Sequence, residues 1–368
     1  MKNVLSIAPY RFLPASSGGQ RAIFYLYQHL SGYVNLTCVS TRSNDITPEP
    51  GFEVIPIFSA TFLRYLNPAY FFAIRRIIKK RKIDTILMEH PYMGIFGWLL
   101  QLFCKRRLVI RSHNIEALRF KELGKWWWKI LWHYERWVHQ QADFSFFITQ
   151  EDRLYAAHHY GIPLEKSSVI TYGMESRSAV DTAQKRKRTA DFKKKWGVPE
   201  NKTLLLFNGI FGYAPNDQAL SLLIDQILPA LVISEAEVFL IVCGRHIPAA
   251  YEGRRTDHLQ VLGFVPDIEA VYWATEIFLN PIWLGGGIKT KLVEALAYGA
   301  SAVSFESGAI GIPRDLLDGK LKVVGDERVN EFACAIIQQK NTSALPTPDG
   351  FIQHFNWDHI AAKAASSL

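Results

Sequence analysis

Residues 281–299 read Pro-Ile-Trp-Leu-Gly-Gly-Gly-Ile-Lys-Thr-Lys-Leu-Val-Glu-Ala-Leu-Ala-Tyr-Gly. Within this stretch three glycines, Gly285, Gly286 and Gly287, lead into an amphipathic segment predicted to be a helix over residues 288–298. Glycine lets backbone N–H groups approach an anion closely, and the N-terminal end of a helix favours negative charge. The stretch therefore predicts a loop and helix that hold a phosphate group, with Ile288 where they join.

Three charged side chains of the same segment extend this prediction. Lys289 and Lys291 place cations beside the glycine loop, and Glu294 lies about two turns into the predicted helix. A carboxylate there can accept hydrogen bonds from paired hydroxyls such as those of a ribose. Phosphate and ribose together indicate a nucleotide ligand.

The whole chain alternates apolar runs of strand length with amphipathic stretches, which predicts two parallel sheets covered by helices. The predicted strands are residues 3–8, 34–40, 52–56, 83–88, 108–111, 144–149 and 169–173, then 203–207, 237–243, 259–263, 277–280 and 302–305. In sheets of this class, ligands bind at the carboxyl ends of the strands.

A change of composition marks the boundary between the two sheets. Residues 176–195 are rich in Ser, Ala, Gln, Lys and Arg without an apolar period, which predicts a solvated linker, or a linker followed by a helix. The predicted organisation is an N-terminal domain over 1–175, a basic linker over 176–198, a C-terminal domain over 199–352 and a last helix over 353–368 that crosses back to the N-terminal domain.

Composition sets the broad class of the protein. A chain of 368 residues with 49% hydrophobic side chains is long enough for two domains with separate cores. It has no run of 18 apolar residues, and its N-terminus turns polar too early for a signal peptide, so we expect a cytoplasmic location. The four cysteines are scattered in apolar sequence and are expected to be reduced and buried.

The net charge of +8 is unevenly distributed. The first 180 residues carry 23 basic against 13 acidic side chains, whereas residues 196–368 carry 12 basic against 19 acidic. Solvated helix faces explain such an excess, and so does a surface that meets an anionic membrane or a phosphorylated acceptor. The composition leaves both explanations open.

By the spacing of its parts, the segment 281–299 resembles the signature of the family 4 retaining glycosyltransferases, most closely that of the bacterial exopolysaccharide-type subgroup. The resemblance covers nearly the whole chain and implies an α/β fold of the GT-B type, with two facing Rossmann-like, doubly wound domains. The family usually carries a glutamate eight positions before Glu294, where this chain has Gly286, as members of the subgroup often do. The contact that this glutamate makes to the donor sugar must come from elsewhere.

The resemblance also assigns residues outside this segment. Gly18 and Gly19 follow the first strand and match a loop beside the donor phosphates or the acceptor, although a tight turn explains a glycine pair equally well. His113 follows the strand 108–111 and matches a family histidine near the donor sugar, so it is predicted to be catalytic together with Lys291.

In the C-terminal half, relatives carry an Arg and a Lys that grip the pyrophosphate, and both are missing here. Asn216 instead matches the subgroup's pattern of a glycine followed six and seven positions later by Pro and Asn. Neutralisation of the donor phosphates is then expected from Lys291, Lys289 and Arg245.

The chemistry that follows is a sugar transfer. The sequence contains no Asp-x-Asp motif and no His, Cys and carboxylate cluster at metal-ligand spacing, so a metal-independent enzyme without a cofactor is expected. The resemblance implies a nucleotide-sugar donor of the UDP or GDP type, a glycan or lipid-linked acceptor, retention of anomeric configuration and a place in bacterial polysaccharide or glycoconjugate synthesis. The alternatives are a degenerate GT-B protein that binds glycan or a partner without turnover, a sugar-nucleotide epimerase and, more weakly, a nucleic-acid-binding protein.

A tryptophan-rich segment suggests one further contact. In this segment, which is predicted to be helical, Trp126, Trp127 and Trp128 are consecutive and are flanked by Lys125 and Lys129, and three such side chains cannot all face one core. Packing against the sheet explains part of this segment. The alternative hypothesis is that it touches a membrane interface together with the basic stretch 75–82, as a peripheral protein would.

Overall fold

The computed structural model describes residues 1–15, 17–47, 50–175, 180–340 and 345–368. The chain divides into two compact units. The N-terminal unit consists of Met1–Ser176 and His354–Leu368, and the C-terminal unit is Arg177–Gln353. Each unit contains one seven-stranded sheet within the described residues.

The sheet of the N-terminal unit is parallel throughout its described pairs. Its strands are β1 (Asn3–Ala8), β2 (Asn35–Thr41), β3 (Glu53–Phe58), β4 (Thr85–Glu89), β5 (Arg107–Ser112), β6 (Phe144–Phe147) and β7 (Ser167–Val169). The spatial order is β3-β2-β1-β4-β5-β6-β7, so the chain reverses direction across the sheet between β1 and β4. Such a switch point opens a crevice at the carboxyl ends of these two strands, where ligands bind in folds of this class.

Helices accompany this sheet, and the longer ones bury apolar side chains against it. The helices are α1 (Gly18–Leu30), α2 (Ala69–Lys80), α3 (Gly94–Cys104), α4 (Glu116–Glu122), α5 (Trp128–Gln141) and α6 (Gln150–Tyr155). In α1, for example, Ile23, Leu26 and Leu30 are buried at helical spacing. The strands β1, β4 and β5 are buried along almost their whole length, as expected for a parallel sheet covered on both faces.

The C-terminal unit repeats this architecture. Its strands are β8 (Thr203–Ile210), β9 (Val238–Arg245), β10 (Arg255–Thr256), β11 (Leu259–Gly263), β12 (Ile277–Asn280), β13 (Ser301–Phe305) and β14 (Leu321–Val324). Their order is β10-β11-β9-β8-β12-β13-β14, and only the short β10 is antiparallel to its neighbour among the described pairs. The switch point of this sheet lies between β8 and β12.

The chain from residue 180 onward contains eight α-helices among its described residues. They are α7 (Thr182–Trp196), α8 (Ala214–Leu222), α9 (Leu228–Ile233), α10 (Ile268–Ala274), α11 (Thr290–Ala297), α12 (Val329–Gln339), α13 (Asp349–His354) and α14 (Trp357–Ser367). A π-helical turn, Leu223–Ile227, joins α8 to α9.

The predicted pair of doubly wound α/β domains is confirmed. Some boundaries differ from the prediction: β7 ends at Val169, where a strand over 169–173 was expected, and α11 begins at Thr290 rather than at residue 288. Strand β14 and helix α3 were not predicted. The sequence of α3 is apolar on nearly every side, so it gives no clear helical period.

The stretch predicted to be a solvated linker, or a linker followed by a helix, contains a helix. Residues 176–179 lie outside the described residues, and α7 follows from Thr182 and is partly buried. The Lys185 ammonium donates hydrogen bonds to the carbonyl oxygens of Thr275 (2.8 Å) and Tyr298 (3.0 Å), and burial lowers the pKa of Lys185 to about 7. Composition did not reveal this burial, because long lysines can bury their stems and cap carbonyl groups.

The cysteine prediction also needs correction. Cys38 and Cys243 are buried, Cys104 is partly buried and Cys334 is exposed on α12, and all four are free thiols. Apolar neighbours in sequence do not bury a residue that lies on the outer face of its helix.

The C-terminal helix α14 packs on α1 within the N-terminal unit. The Trp357 ring is 1% exposed and stacks on Tyr25 with ring centroids 6.3 Å apart. Backbone hydrogen bonds join Met174 to Phe355 (2.6 Å) and Trp357 to Met174 (3.1 Å). The last residues of the chain are therefore part of the folded core of this unit.

Gly173→Ala tests this packing. A Cβ atom at Gly173 would lie 2.4 Å from Cδ2 of Trp357, so we expect the variant to lower the free energy of unfolding by about 1–3 kcal/mol. Urea unfolding followed by tryptophan fluorescence measures the change. Gly350→Ala is the matched control, because its Cβ would meet nothing nearer than 3.6 Å. Equal stabilities of the two variants would show that Trp357 is not packed as described.

Candidate active site

The glycine loop before α11 has a defined backbone conformation. Gly285 and Gly287 have φ angles of 83° and 74°, in the left-handed region that glycine adopts without strain. The Lys289 ammonium donates to the carbonyl oxygens of Gly285 (2.5 Å), Gly286 (3.3 Å) and Gly287 (3.1 Å). A trans peptide points its carbonyl and its N–H in opposite directions. The N–H groups of Gly286, Gly287 and Ile288 therefore face away from Lys289.

Lys289 thus has a different place from the one that the sequence suggested. It was predicted to meet the phosphate directly, whereas its ammonium holds three loop carbonyls. The residue is also the N-cap of α11, so it fixes the loop to the helix that follows. Direct contact of Lys289 with a ligand stays a prediction.

The structure brings together Lys291 and Asn216, which the sequence analysis predicted to bind the ligand. The Lys291 ammonium donates to the Asn216 side-chain oxygen (2.9 Å) and to the Asn208 backbone carbonyl (2.9 Å). It also lies 4.6 Å from the centre of the Phe207 ring. These contacts tie α11 to the carboxyl end of β8 and to α8, at the switch point of the sheet.

The Lys291 ammonium is partly withdrawn from solvent. Burial, with Lys289 nearby, lowers the pKa of Lys291 to about 7. Both its charged and its neutral forms are then populated near neutral pH. An anion bound beside it would favour the charged form and restore the pKa toward its ordinary value.

Glu294 is held by a chain of hydrogen bonds that the sequence did not reveal. The Tyr272 hydroxyl donates to Glu294 Oε2 (3.1 Å), and the Asn208 side-chain amide donates to the Tyr272 hydroxyl (2.9 Å). Burial and the Glu294 carboxylate raise the pKa of Tyr272 well above its usual value, so it remains a neutral donor. This arrangement fixes the orientation of the carboxylate.

Arg245 lies on the same edge of the sheet, at the end of β9, but it is exposed. Its guanidinium lies 4.8 Å from the centre of the Phe264 ring, just after β11. Within the part of the chain that the structure describes, no hydrogen bond joins Arg245 to the group around Lys291. Its predicted contact with the donor stays a prediction.

Gly18 and Gly19 belong to the N-terminal unit, not to the unit that holds the other predicted donor-binding residues. They are the first residues of α1, after the loop that leaves β1. Ser17 is the N-cap, and its backbone N–H donates to the Gln20 side chain (3.0 Å). A Cβ at Gly19 would meet nothing within 4 Å, so the space above this helix end is open.

His113 follows β5 and is bonded to a buried ion pair. Its Nε2 lies 2.6 Å from Glu89 Oε2, and the Arg111 guanidinium donates to both oxygens of Glu89 (3.0 and 3.1 Å). Glu89 and Arg111 are direct neighbours in the register of β4 and β5, and both side chains are fully buried. The His113 side chain keeps 10% of its surface exposed.

The environment of this cluster favours a neutral His113 and an ionised Glu89. Burial lowers the pKa of His113 to about 4, and His90 and Arg111 act in the same direction. Burial acts to raise the pKa of Glu89, but Arg111 and His113 outweigh it and hold that pKa below its usual value. A neutral imidazole therefore lies beside an ionised carboxylate at neutral pH.

A second histidine lies against the first. The rings of His90 and His113 have centroids 4.2 Å apart, and His90 Nδ1 lies 3.4 Å from Glu116 Oε1. The sequence analysis missed Glu89 and His90. Glu89 is the last residue of β4 and His90 follows it, just as His113 follows β5, so the same argument from strand ends would have found them.

Comparison with known proteins agrees with this architecture. Residues 16–176 match the family model described as Glycosyltransferase Family 4, and residues 202–340 match that described as Glycosyl transferases group 1. No curated protein matches the chain.

Several solved structures share the fold. Sucrose-phosphate synthase from Thermosynechococcus elongatus is 14% identical, with a TM-score of 0.73 over 100% of this chain and 98% of that one. HepE from Anabaena, solved in complex with UDP, is 15% identical, with a TM-score of 0.72 over all of both chains. The lipopolysaccharide outer core galactosyltransferase WaaB is 13% identical, with a TM-score of 0.67 over 100% and 99% of the two chains.

The two Rossmann-like units and these structural neighbours define a protein of the GT-B class. Glycosyltransferase family models match both of its domains, and together these matches support a glycosyltransferase of the family 4 type.

Arg111→Leu tests the buried ion pair of the N-terminal unit. Removing the guanidinium leaves the Glu89 carboxylate buried without its counter-charge, so we expect a loss of about 3–5 kcal/mol of unfolding free energy near neutral pH. The deficit should shrink as the pH falls, because Glu89 can then fold in its neutral form. Chemical unfolding at several pH values measures both effects.

The double variant Glu89→Leu/Arg111→Leu is the control. It leaves no buried charge unpaired and should recover much of the lost stability. A double variant that is less stable than Arg111→Leu would show that the two side chains do not depend on each other.

Proposed function

We propose that the chain transfers a sugar from a nucleotide-sugar donor to a glycan or lipid-linked acceptor, with retention of anomeric configuration and without a metal ion. The observation that carries the proposal is the group at the switch point of the C-terminal unit. There the glycine loop, Lys291 and the Glu294 carboxylate converge on the carboxyl ends of β8 and β12. The UDP held by HepE supports a donor of the UDP type, and a GDP-type donor is the alternative.

The proposed roles follow from the geometry of the site. The N–H groups of Gly286, Gly287 and Ile288, together with Lys291, bind the diphosphate. Glu294, oriented by Tyr272, accepts hydrogen bonds from the ribose hydroxyls. With Gly286 in place of the family's first glutamate, this loop contributes backbone groups where relatives contribute a carboxylate.

Charge grows on the diphosphate as the sugar leaves, so groups that bind the leaving oxygens more tightly in the transition state accelerate the reaction. In the proposed mechanism, Lys291 and the loop N–H groups act in this way on the diphosphate. His113 is the proposed catalytic residue of the N-terminal unit. In the proposed mechanism, the acceptor hydroxyl attacks on the face from which the diphosphate departs, and a donor phosphate oxygen takes its proton.

A place in bacterial polysaccharide or glycoconjugate synthesis, within the exopolysaccharide-type subgroup, is part of the proposal. It is supported by the Gly-Gly-Gly-Ile-Lys-Thr-Lys sequence and by the likeness to WaaB. The competing function is a degenerate GT-B protein that binds without turnover. The specific observation in its favour is Gly286, which removes the usual sugar-binding carboxylate.

Nucleotide binding and turnover test the proposed site. We expect UDP or GDP to raise the melting temperature of the protein, because the ligand binds the folded state. Glu294→Gln should weaken nucleotide binding by roughly tenfold, and Lys291→Met should lower kcat by roughly 10²-fold. Lys322→Met, an exposed lysine of the same unit, is the matched control and should behave as the wild type.

Three outcomes would contradict parts of this proposal. Nucleotide binding without transfer to any glycan or lipid-linked acceptor would favour the degenerate protein. Loss of activity in EDTA would contradict metal independence, and a product with the opposite anomeric configuration, read by NMR, would contradict retention. Wild-type behaviour of Glu294→Gln and Lys291→Met would mean that the donor binds elsewhere.

We also propose that the N-terminal unit touches an anionic membrane surface, peripherally and from the cytoplasmic side. No helix among the described residues has the length and apolar character needed to cross a bilayer. Helix α5 begins at Trp128, so the helix predicted for the tryptophan segment starts later than expected. Trp127 packs on Phe120, whereas Trp126 is 83% exposed and Ile130 is 65% exposed.

Three exposed lysines lie close to these two apolar side chains along the chain. They are Lys121, Lys125 and Lys129. A second exposed apolar group of the same unit precedes and begins α2, a helix whose last turn is basic, and consists of Phe62, Leu63, Leu66 and Phe72. Exposed apolar side chains near cations are typical of surfaces that enter the interface of an anionic bilayer.

Vesicle flotation tests the membrane proposal. The protein should float with vesicles containing an anionic lipid and not with zwitterionic vesicles, and Trp126→Ser/Ile130→Ser should reduce flotation several-fold because apolar burial is lost. Ile233→Ser, which changes an 82% exposed residue of the C-terminal unit, is the control. Absence of wild-type binding to anionic vesicles would remove the proposal.

A further inference from the structure

We infer that Glu89 is a positioning residue for His113, which holds the imidazole in the tautomer with the proton on Nε2 and leaves Nδ1 as a hydrogen-bond acceptor for a sugar hydroxyl. The role of His113 in catalysis rests on the proposed function. The tautomer itself does not, because it follows from contacts within the N-terminal unit.

The distances decide the tautomer. His113 Nε2 lies 2.6 Å from Glu89 Oε2 and 3.1 Å from the Arg111 guanidinium. If Nε2 carried a lone pair, two acceptor atoms would face each other at 2.6 Å, which is strongly repulsive. A proton on Nε2 converts this contact into a short, charge-assisted hydrogen bond to the carboxylate. The proton on Nε2 also lies near the Arg111 guanidinium, which is another donor. This contact is less repulsive than two facing acceptors would be, because it is longer and that guanidinium already donates to both oxygens of Glu89.

Arg111 keeps Glu89 able to play this part. A buried carboxyl without a counter-charge would take up a proton, and a neutral carboxyl could donate to the imidazole rather than accept from it. The fully buried Arg111 prevents this by pairing with Glu89 across β4 and β5. Arg111 therefore keeps Glu89 ionised, and Glu89 in turn holds the His113 ring.

The surroundings also keep the ring neutral. Arg111 and His90 lie against it, and either would repel a second positive charge. The remaining titratable groups of the cluster face His90 and Glu89 rather than His113 itself. They are Glu116 on α4, Tyr10 in the loop after β1, whose hydroxyl donates to the Glu89 carbonyl, Tyr92 after β4, Tyr27 on α1 and Cys38 on β2.

The Nδ1 side of the His113 ring is then a hydrogen-bond acceptor. Among the described residues, Nδ1 of His113 has no hydrogen-bond partner, and the side chain is partly exposed. A neutral ring protonated on Nε2 offers a lone pair at Nδ1. The sequence suggested a histidine that donates to a sugar hydroxyl, whereas this geometry makes it accept a hydrogen bond from one. The ligand group that binds at Nδ1 is therefore a hydroxyl.

Nitrogen NMR of histidine-labelled protein tests the tautomer directly. The His113 signals, assigned by their loss in His113→Asn, should show the Nε2–H form from pH 6 to 8 and no protonation above pH 5. In Glu89→Gln the amide can either accept or donate, so the preference for the Nε2–H form should weaken. A wild-type ring protonated on Nδ1, or an equal mixture of the two forms, would overturn the inference.

Kinetics separates positioning from stability. Glu89→Gln should lower kcat by on the order of 10–100-fold while KM for the donor changes little, and Glu89→Asp should restore part of the loss. Unfolding curves of both variants show whether they remain folded under assay conditions. Unchanged kcat in a folded Glu89→Gln variant that has lost the tautomer preference would overturn the role in catalysis. A wild-type protein without transferase activity would refute the proposed function, and the NMR result would still decide the tautomer.

Discussion

Parallel pairing of buried strands is the constraint on which both units depend. Every strand of a parallel sheet ends at the same edge, and a doubly wound order opens a crevice where the chain reverses direction. Candidate functional side chains of both units collect at such edges: Glu89 at the end of β4 and His113 after β5, and Lys291 and Glu294 beside the ends of β8 and β12. The sheets themselves are ordinary apolar cores, and the chemistry lies in the loops that leave them.

Within the C-terminal unit, most contacts of the candidate site are internal supports. Lys289 holds the loop carbonyls, Asn208 accepts from Lys291 and donates to Tyr272, and Tyr272 donates to Glu294. A site whose groups are fixed before the ligand arrives loses less free energy on binding and reacts without rearrangement. The N-terminal unit has the same arrangement around His113, with a buried ion pair as the support.

The sequence predicted the larger features because they depend on local pattern. Apolar runs of strand length placed most strands to within a few residues, and the glycine run located the loop before α11 that is proposed to bind phosphate. The α7 stretch shows the limit of this reasoning. Its composition indicated a solvated stretch, yet Lys185 and Lys193 bury their stems. Lys185 contacts Thr275 and Lys193 contacts Glu276, and both partners are far away along the chain.

By itself, the sequence determined the α/β class, the two-unit organisation and the residue types that are proposed to hold phosphate and ribose, because these depend on periodicity, glycine conformation and charge along short stretches. Only the tertiary structure decided which side chains support them. Glu89 meets Arg111 through the register of two strands, and Tyr272 reaches Glu294 from a helix 22 positions earlier. Such pairs are fixed by how segments that are distant in sequence pack together, and local sequence patterns do not indicate which of these segments meet.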